Sequence, residues 1–168
     1  MRCHYAACVS YADAQVGKIL AELKRTGADK NTIVILRGDH GWHLGEHVIW
    51  GKHILFEESL HSPLIIRYPN MKTKNATTNT IVETLDVFPI LCDLTGIDTP
   101  NFTQGTPLVN LLENSEKKGH SAVAYTKNYK KSTIRTSTHR MIFHENDFIE
   151  LYHHTSEEKE TNWLSFKI

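Results

Sequence analysis

The sequence has no excess of charge of either sign and no long apolar run. Its 168 residues contain 19 lysines and arginines against 19 aspartates and glutamates, a formal net charge of +0 at pH 7. No overall field draws the chain to nucleic acid or to an anionic membrane, so neither is expected as a partner. The apolar runs are shorter than a bilayer requires, which excludes a membrane-spanning helix.

Cysteine is also scarce. Cys3, Cys8 and Cys92 are too few and too scattered for a disulfide framework or a zinc ribbon, and they are interpreted as small buried apolar side chains. The first twenty residues lack the apolar core of a signal peptide. They show apolar residues at helical spacing instead, which predicts a helix that Gly27 ends. A chain that opens inside a helix suggests that Met1 is not the natural start of the fold.

The sequence does contain an alternation of strand and helix patterns. Residues 31–38, NTIVILRG, are almost wholly apolar, as in a strand covered on both faces, and residues 62–69, SPLIIRYP, form a second apolar run. Residues 81–97 predict a helix that Gly96 ends. One face of that helix is expected to hold Leu85, Phe88, Leu91 and Leu94.

The pattern changes at Ser121 to a run of short candidate strands. A charged helix is predicted from Ser156 onward. Strand–helix alternation followed by several strands predicts an α/β layer and then a small antiparallel sheet with a final helix. The candidate strands are SAVAY, STIRT, HRMIFH and FIELY.

Residues 37–47, RGDHGWHLGEH, place six ionisable side chains directly after the first predicted strand. Asp39 and His40 lie where ligands gather in open α/β sheets, at the carboxyl end of a strand. One oxygen and one nitrogen ligand suit Ca²⁺, Mg²⁺, Mn²⁺ or Zn²⁺. A metal site and a hydrogen-bonded polar turn both fit this pattern. Asp86, within the later helix, is expected to be a local cap or a surface group.

The same stretch contains a His-x-x-Glu-His order at His43, Glu46 and His47, which resembles the inverted zinc-protease motif. That motif requires a helix, and Gly45 disfavours one. We therefore interpret His43 as a loop residue, and Glu46 and His47 as side chains that hydrogen-bond the loop to itself. Lys52 fits either a clamp for phosphate or sulfate oxygens near a cation or an ordinary solvated lysine.

Residues 39–53, DHGWHLGEHVIWGKH, resemble the corresponding segment of the sulfatases, especially the iduronate-2-sulfatase and polysaccharide-sulfatase branch. The resemblance implies part of an alkaline-phosphatase-like α/β sheet. Residues 1–118 would be the C-terminal part of the catalytic domain, and 119–168 a small C-terminal subdomain. Further segments resemble the family in order along the chain: residues 5–36, the HSPL stretch at 61–64, the DVFP helix, GTPLVNLL and residues 149–163.

The resemblance also implies roles for single residues. Asp39 and His40 would be two ligands of a divalent cation, generally Ca²⁺, and Lys52 would bind the sulfate group. His61 would be structural or line the substrate site. The implied reaction is hydrolysis of a sulfate ester, with a sulfated glycan as substrate and a formylglycine as nucleophile. Such enzymes are exported, to the periplasm or outside the cell, or lysosomal.

The sequence departs from the family most clearly in the nucleophile. The formylglycine arises from the first residue of Cys- or Ser-x-Pro-Ser-Arg, and no such segment occurs here. The pair of aspartates that precedes it in the family is also absent. The resemblance therefore places the formylglycine in a missing N-terminal portion, which would be a partner of this chain. The chain alone is expected to be inactive.

Two other functions fit the same residues. One is a non-catalytic module that binds sulfated glycans, and the other is a phosphatase or phosphodiesterase of the alkaline phosphatase superfamily. Smaller departures from the family are Arg37, where Ser or Thr is usual, and His153, where Asp is usual. Asn75 and Asn101 begin glycosylation sequons, a pattern that also arises by chance.

Overall fold

The computed structural model describes residues 1–127, 130–154 and 163–167, the last of these as backbone only. The chain divides into two compact units. Unit 1 comprises residues 1–54 and 58–71, and unit 2 comprises residues 55–57 and 72–168. The division predicted after residue 118 rests on the family resemblance, whereas these units are defined by compactness. It stays a prediction.

Unit 1 begins with the predicted helix. Helix α1 (Arg2–Thr26) ends at Gly27, whose φ of 74° is left-handed, and the glycine N–H donates to the Lys24 carbonyl. This C-cap suits glycine because a side chain is disfavoured there. None of the helix residues is buried, and Val9 and Ile19 are 52% and 63% exposed. No helix of the described residues is long and apolar enough to cross a membrane.

The strands of unit 1 are short. They are β1 (Val34–Arg37), β2 (His43–Leu44), β3 (Trp50–Gly51) and β4 (Leu64–Arg67). β1 pairs antiparallel with β4, and β2 with β3. The prediction that β1 is covered on both faces is wrong for its second half, where Leu36 is 43% exposed. An apolar run identifies a strand but does not reveal what packs on it.

Unit 2 contains the second predicted helix. Two helices follow α2 (Glu57–Leu60) along the chain: α3 (Val87–Thr95), which Gly96 ends in a left-handed conformation, and α4 (Val109–Glu113). The predicted apolar face is wrong, since Leu85 and Phe88 are 52% and 47% exposed. The buried residues of α3 are Pro89, Ile90 and Cys92. Residues 87–92 are all apolar, so the pattern alone does not select a face.

A five-stranded antiparallel sheet completes unit 2. Its strands follow chain order, each paired with the next, which confirms the predicted small C-terminal sheet. Ile142, Ile149 and Tyr152 are buried and contribute to its core. The strands are β5 (Ala122–Lys127), β6 (Lys131–Thr136), β7 (His139–His144), β8 (Phe148–His153) and β9 (Trp163–Lys167).

Two sequence expectations change in the structure. The charged helix predicted from Ser156 falls partly on 155–162, which lie outside the described residues, and Trp163–Lys167 form β9. Trp, Leu and Phe in that segment favour a strand. Cys92 is buried as expected, but Cys3 and Cys8 lie exposed on α1, so that interpretation is wrong for them.

Candidate functional site

The loop that follows β1 is held against the segment containing α2. The Gly41 N–H donates to the Ser59 carbonyl at 2.8 Å, and the Gly38 N–H donates to the Pro63 carbonyl at 3.0 Å. A Cβ atom on Gly41 would lie 2.0 Å from the Glu58 carbonyl oxygen. Only glycine permits this close approach of two backbones. The approach fixes the position of the two residues that precede Gly41.

Those two residues, Asp39 and His40, turn their side chains toward each other. The His40 Nε2 atom lies 3.2 Å from the Asp39 Oδ2 atom, and the His40 backbone N–H donates to Asp39 Oδ1 at 3.1 Å. The Asp39 side chain is 77% exposed and that of His40 is 29% exposed. A carboxylate and an imidazole therefore meet at a point that solvent reaches.

The tautomer of His40 follows from its other ring nitrogen. His40 Nδ1 lies 2.7 Å from the Gly41 carbonyl oxygen, which can only accept a hydrogen bond. Nδ1 therefore carries the proton, and Nε2, which lies 3.2 Å from Asp39 Oδ2, presents its lone pair. Histidines that bind metals are oriented in this way, by donating the second N–H to an oxygen. The two side chains thus fit a divalent cation.

Lys52 joins the same group. The antiparallel pairing of β2 and β3 returns the chain, and the Lys52 Nζ atom lies 2.6 Å from His40 Nε2. The ammonium donates and the imidazole lone pair accepts. The structure therefore brings together all three residues that the sequence selects as site residues, which we name the Asp39–His40–Lys52 group. His61 is exposed and lies before β4.

The remaining polar residues of the loop depart partly from expectation. Glu46 accepts a hydrogen bond from the Leu44 N–H at 2.6 Å, the contact within the loop that was expected. Residues Glu46–Val48 form a 3₁₀ turn after Gly45, so the helix of a zinc-protease motif is absent there, as expected. His43 is completely buried, which corrects its interpretation as a loop residue.

His43 and His47 belong to a second group of possible metal ligands. Ligand atoms of His43, His47 and Glu58 all lie within 4.8 Å of one another. Glu58 is a residue that the sequence does not single out, because no motif spacing links it to the loop. We name these three residues the His43–His47–Glu58 cluster.

Asp86 shows the opposite arrangement to Asp39. Its side chain is completely buried, so the expectation of a surface group is wrong and that of a local cap is confirmed. It accepts hydrogen bonds from the N–H groups of Glu83 at 2.7 Å and Thr106 at 2.8 Å. Its Oδ2 atom also lies 2.8 Å from His120 Nε2. Both oxygen atoms of the Asp86 carboxylate are therefore hydrogen-bonded within the protein.

Comparisons with known proteins agree with the resemblance. A family model described as Sulfatase matches residues 1–97. A sulfatase of Formosa agariphila is 32% identical over 163 residues, which cover 96% of this chain and 31% of the relative. An N-acetylglucosamine-6-O-sulfatase of Bacteroides thetaiotaomicron is 36% identical over 113 residues, which cover 67% of this chain and 20% of the relative.

A solved structure gives the same result for the fold. It is that of a protein in complex with its substrate, D-glucosamine-2-N,6-O-disulfate, and it superimposes with a TM-score of 0.76 at 32% identity. The match covers 84% of this chain and 31% of that chain. It confirms the predicted fold class. This chain spans between a fifth and a third of the length of these relatives. On these matches the chain belongs to the sulfatase family.

Proposed function

We propose that the Asp39–His40–Lys52 group is part of the active site of a sulfatase that hydrolyses sulfate esters of glycans. One observation carries the proposal: the His40 Nε2 atom lies 3.2 Å from Asp39 Oδ2 and 2.6 Å from Lys52 Nζ. The Asp39 carboxylate and the His40 imidazole, which can bind a cation, thus lie beside the Lys52 ammonium, which can bind an anion. Solvent reaches this point. A metal-bound sulfate ester needs both.

Asp39 and His40 would hold the divalent cation, which we propose to be Ca²⁺, as in the family. When bound, such an ion supplies positive charge to the oxygens of the substrate. Lys52 would add its own charge to the sulfate oxygens. Nucleophilic attack on an anion is slow in water, so fixed positive charge near the oxygens is the main contribution that these residues make to the rate.

The nucleophile would come from polypeptide outside these 168 residues. Each of the three cysteines lacks the Pro-Ser-Arg continuation from which formylglycine forms, and so does every serine. Two ligands fill only part of the coordination of Ca²⁺, which takes six to eight. We therefore propose that this chain alone turns over no sulfate ester. For the whole protein we propose export or a lysosomal location, as in the family.

Two of the relatives support the substrate class that we propose. One similar protein is named for removing a 6-O-sulfate from N-acetylglucosamine, and one similar structure holds a sulfated glucosamine. A sulfated amino sugar within a glycan is therefore the substrate that we propose to test first. A phosphate ester shares the charge and shape of the sulfate ester, so it is the appropriate competitor.

The test is a chimera in which this chain replaces the matching part of the Formosa agariphila sulfatase. That relative aligns over 96% of this chain and would supply the other parts of the proposed active site. We expect Ca²⁺-dependent hydrolysis of an aryl sulfate and of glucosamine 6-sulfate. Lys52→Ala should lower kcat/KM by about 10²- to 10³-fold, because it removes one positive contact to the sulfate oxygens.

His40→Ala should cost at least as much, and His4→Ala, at an exposed histidine of α1, is its matched control. A folded chimera whose turnover is insensitive to His40→Ala and Lys52→Ala would refute the proposal. Faster hydrolysis of a phosphate ester would assign the phosphatase function instead. Saturable glycan binding by the chimera without turnover of any ester would indicate the non-catalytic module.

A further inference from the structure

The His43–His47–Glu58 cluster lies in unit 1 and is separate from the Asp39–His40–Lys52 group. The Oε2 atom of Glu58 lies 3.5 Å from His43 Nε2 and 3.8 Å from His47 Nε2. The side chains are 0%, 14% and 18% exposed for His43, His47 and Glu58. Two imidazole nitrogens and one carboxylate oxygen therefore face each other in a site that is nearly shielded from water.

The backbone takes an unusual path to bring the two histidines together. They are four residues apart, but the chain between them is a strand residue, a glycine and a 3₁₀ turn. Gly45 has a φ of 111°, and His47 and Val48 have φ values of 54° and 60°. Left-handed conformations are uncommon outside glycine and especially so for a β-branched residue such as valine. The structure sustains them where they direct His47 toward Glu58.

Neighbouring groups orient the ligands. The Ser59 Oγ atom lies 2.9 Å from His43 Nδ1, which leaves Nε2 to face Glu58. The Glu46 carboxylate accepts the Leu44 N–H and so is held by the backbone. Hydrogen bonding to the second nitrogen of an imidazole is the usual support of a metal-binding histidine. The carboxylate of this cluster therefore comes from Glu58 in α2 and not from Glu46 of the sequence motif.

We propose that the His43–His47–Glu58 cluster binds one Zn²⁺ ion, or a transition metal of similar chemistry. Two imidazoles and a carboxylate are ligands that zinc prefers, and a water molecule would complete four-fold coordination. In a tetrahedral zinc site neighbouring ligand atoms are about 3.4 Å apart. The two nitrogen–oxygen distances reach that value with shifts of a few tenths of an ångström. Calcium is disfavoured because two of the three donors are nitrogens.

The bound ion would link the loop that carries His40 to α2, because His43 and His47 belong to that loop and Glu58 belongs to α2. Its role is structural, because His43 is completely buried and a substrate has no access to it. The inference does not depend on sulfatase activity. The two groups share no ligand, so variants can test them separately.

The experiment titrates the full chain with Zn²⁺ in competition with a chelating dye. We expect one tightly bound Zn²⁺ per chain, a higher midpoint of urea unfolding with Zn²⁺, and the visible absorption of tetrahedral Co²⁺ after substitution. His47→Ala and Glu58→Gln should each weaken Zn²⁺ binding by more than about 100-fold, since losing a ligand costs more than losing its support. Circular dichroism tests whether each variant folds.

Two controls make the result specific. His139→Ala alters another close histidine pair, in which the rings of His139 and His153 are 4.7 Å apart, and should leave Zn²⁺ affinity unchanged. The double variant Asp39→Asn, His40→Ala removes two members of the Asp39–His40–Lys52 group and should also leave Zn²⁺ affinity unchanged. Absence of a tight site, equal affinity in His47→Ala and Glu58→Gln, or loss of binding only in the double variant would each overturn the proposal. If His47→Ala does not fold, Glu58→Gln decides.

Discussion

The two units each contain a close pair of an aspartate and a histidine, and the pairs differ in what surrounds them. In unit 1, the Asp39 side chain is 77% exposed and its carboxylate contacts two nitrogen atoms of His40. In unit 2, Asp86 is completely buried and contacts His120 and two backbone N–H groups. An aspartate and a histidine thus form a solvent-accessible pair in unit 1. In unit 2 they form a pair whose carboxylate is hydrogen-bonded within the protein.

The difference separates binding from structure. A buried carboxylate must have its hydrogen bonds satisfied within the protein, since an unpaired one is costly. Asp86 meets this requirement and so has no capacity for a ligand. Asp39 meets it with water, which a cation can replace. Exposure and spare lone pairs therefore favour Asp39, rather than Asp86, as the metal ligand that we propose.

Unit 2 satisfies its other buried charges internally as well. The Arg140 guanidinium, with a side chain only 3% exposed, pairs with Glu57, and Arg135 lies 3.2 Å from the same carboxylate. Arg140 also donates to Thr133 Oγ1 at 3.2 Å. These charges hold the sheet to residue 57. In unit 1, by contrast, the Lys52 ammonium lies beside an imidazole nitrogen, that of His40.

The largest expected effect tests the two aspartates directly. Asp86→Ala leaves His120 and two backbone donors without their acceptor, so it should lower the free energy of unfolding by about 3–5 kcal/mol. Asp39→Ala should change it by less than about 0.5 kcal/mol, as expected for an exposed side chain. Urea unfolding measures both. Comparable losses would show that Asp39 is a structural residue and would remove the distinction between the pairs.

The sequence predicts these two aspartates unequally well. Asp39 lies just after a strand and between Gly38 and His40, and both features are visible in the sequence. Asp86 is recognisable as a local cap, but its partner His120 is 34 residues away, and no spacing rule connects them. Burial depends on such distant partners. This is also why the sequence expectation for Asp86 is only half right.

The same reasoning explains what is found and missed elsewhere. The strands β6, β7 and β8 are predicted because local alternation specifies them. The helical spacing of α1 predicts the helix, yet none of its residues is buried in the structure, because periodicity does not identify what covers a face. The motif at His43 and His47 is visible in the sequence, but the third member of the cluster, Glu58, comes from a different element.

The next effect concerns pH and the internal charges of unit 2. Burial raises the pKa of Glu57, but the hydrogen bond and charge of Arg140, with the charge of Arg135, outweigh it and hold that pKa below 4.5. Burial lowers the pKa of His154 to about 4 from 6.5, with the charge of Arg135 acting in the same direction. In both cases the unfolded chain binds more protons than the folded one. Stability should therefore fall as the pH falls.

The two groups act in different pH ranges, so each variant controls for the other. His154→Gln should flatten the loss of stability between pH 6.5 and about 4, and leave the loss at lower pH. Glu57→Gln should flatten the loss below pH 4.5 and lower stability at pH 7 by about 1–3 kcal/mol, because the charge-assisted hydrogen bonds from Arg140 and Arg135 to the carboxylate are lost. Urea unfolding at a series of pH values measures both. Unchanged slopes would contradict the assignment.

The smallest expected effect concerns Lys52 and returns to the accessible pair. Its ammonium lies 2.6 Å from His40 Nε2 and occupies the lone pair that a cation would use. Lys52→Ala should therefore raise the Ca²⁺ affinity of the isolated chain by about threefold to tenfold, the worth of one partly exposed charge. Equilibrium dialysis with radioactive calcium measures the change. The gain should shrink at high salt, because salt screens the repulsion between the ammonium and the ion. The same variant should bind sulfate esters less well, so the two affinities should move in opposite directions. A fall in both would mean that Lys52 organises the pair rather than competing for it.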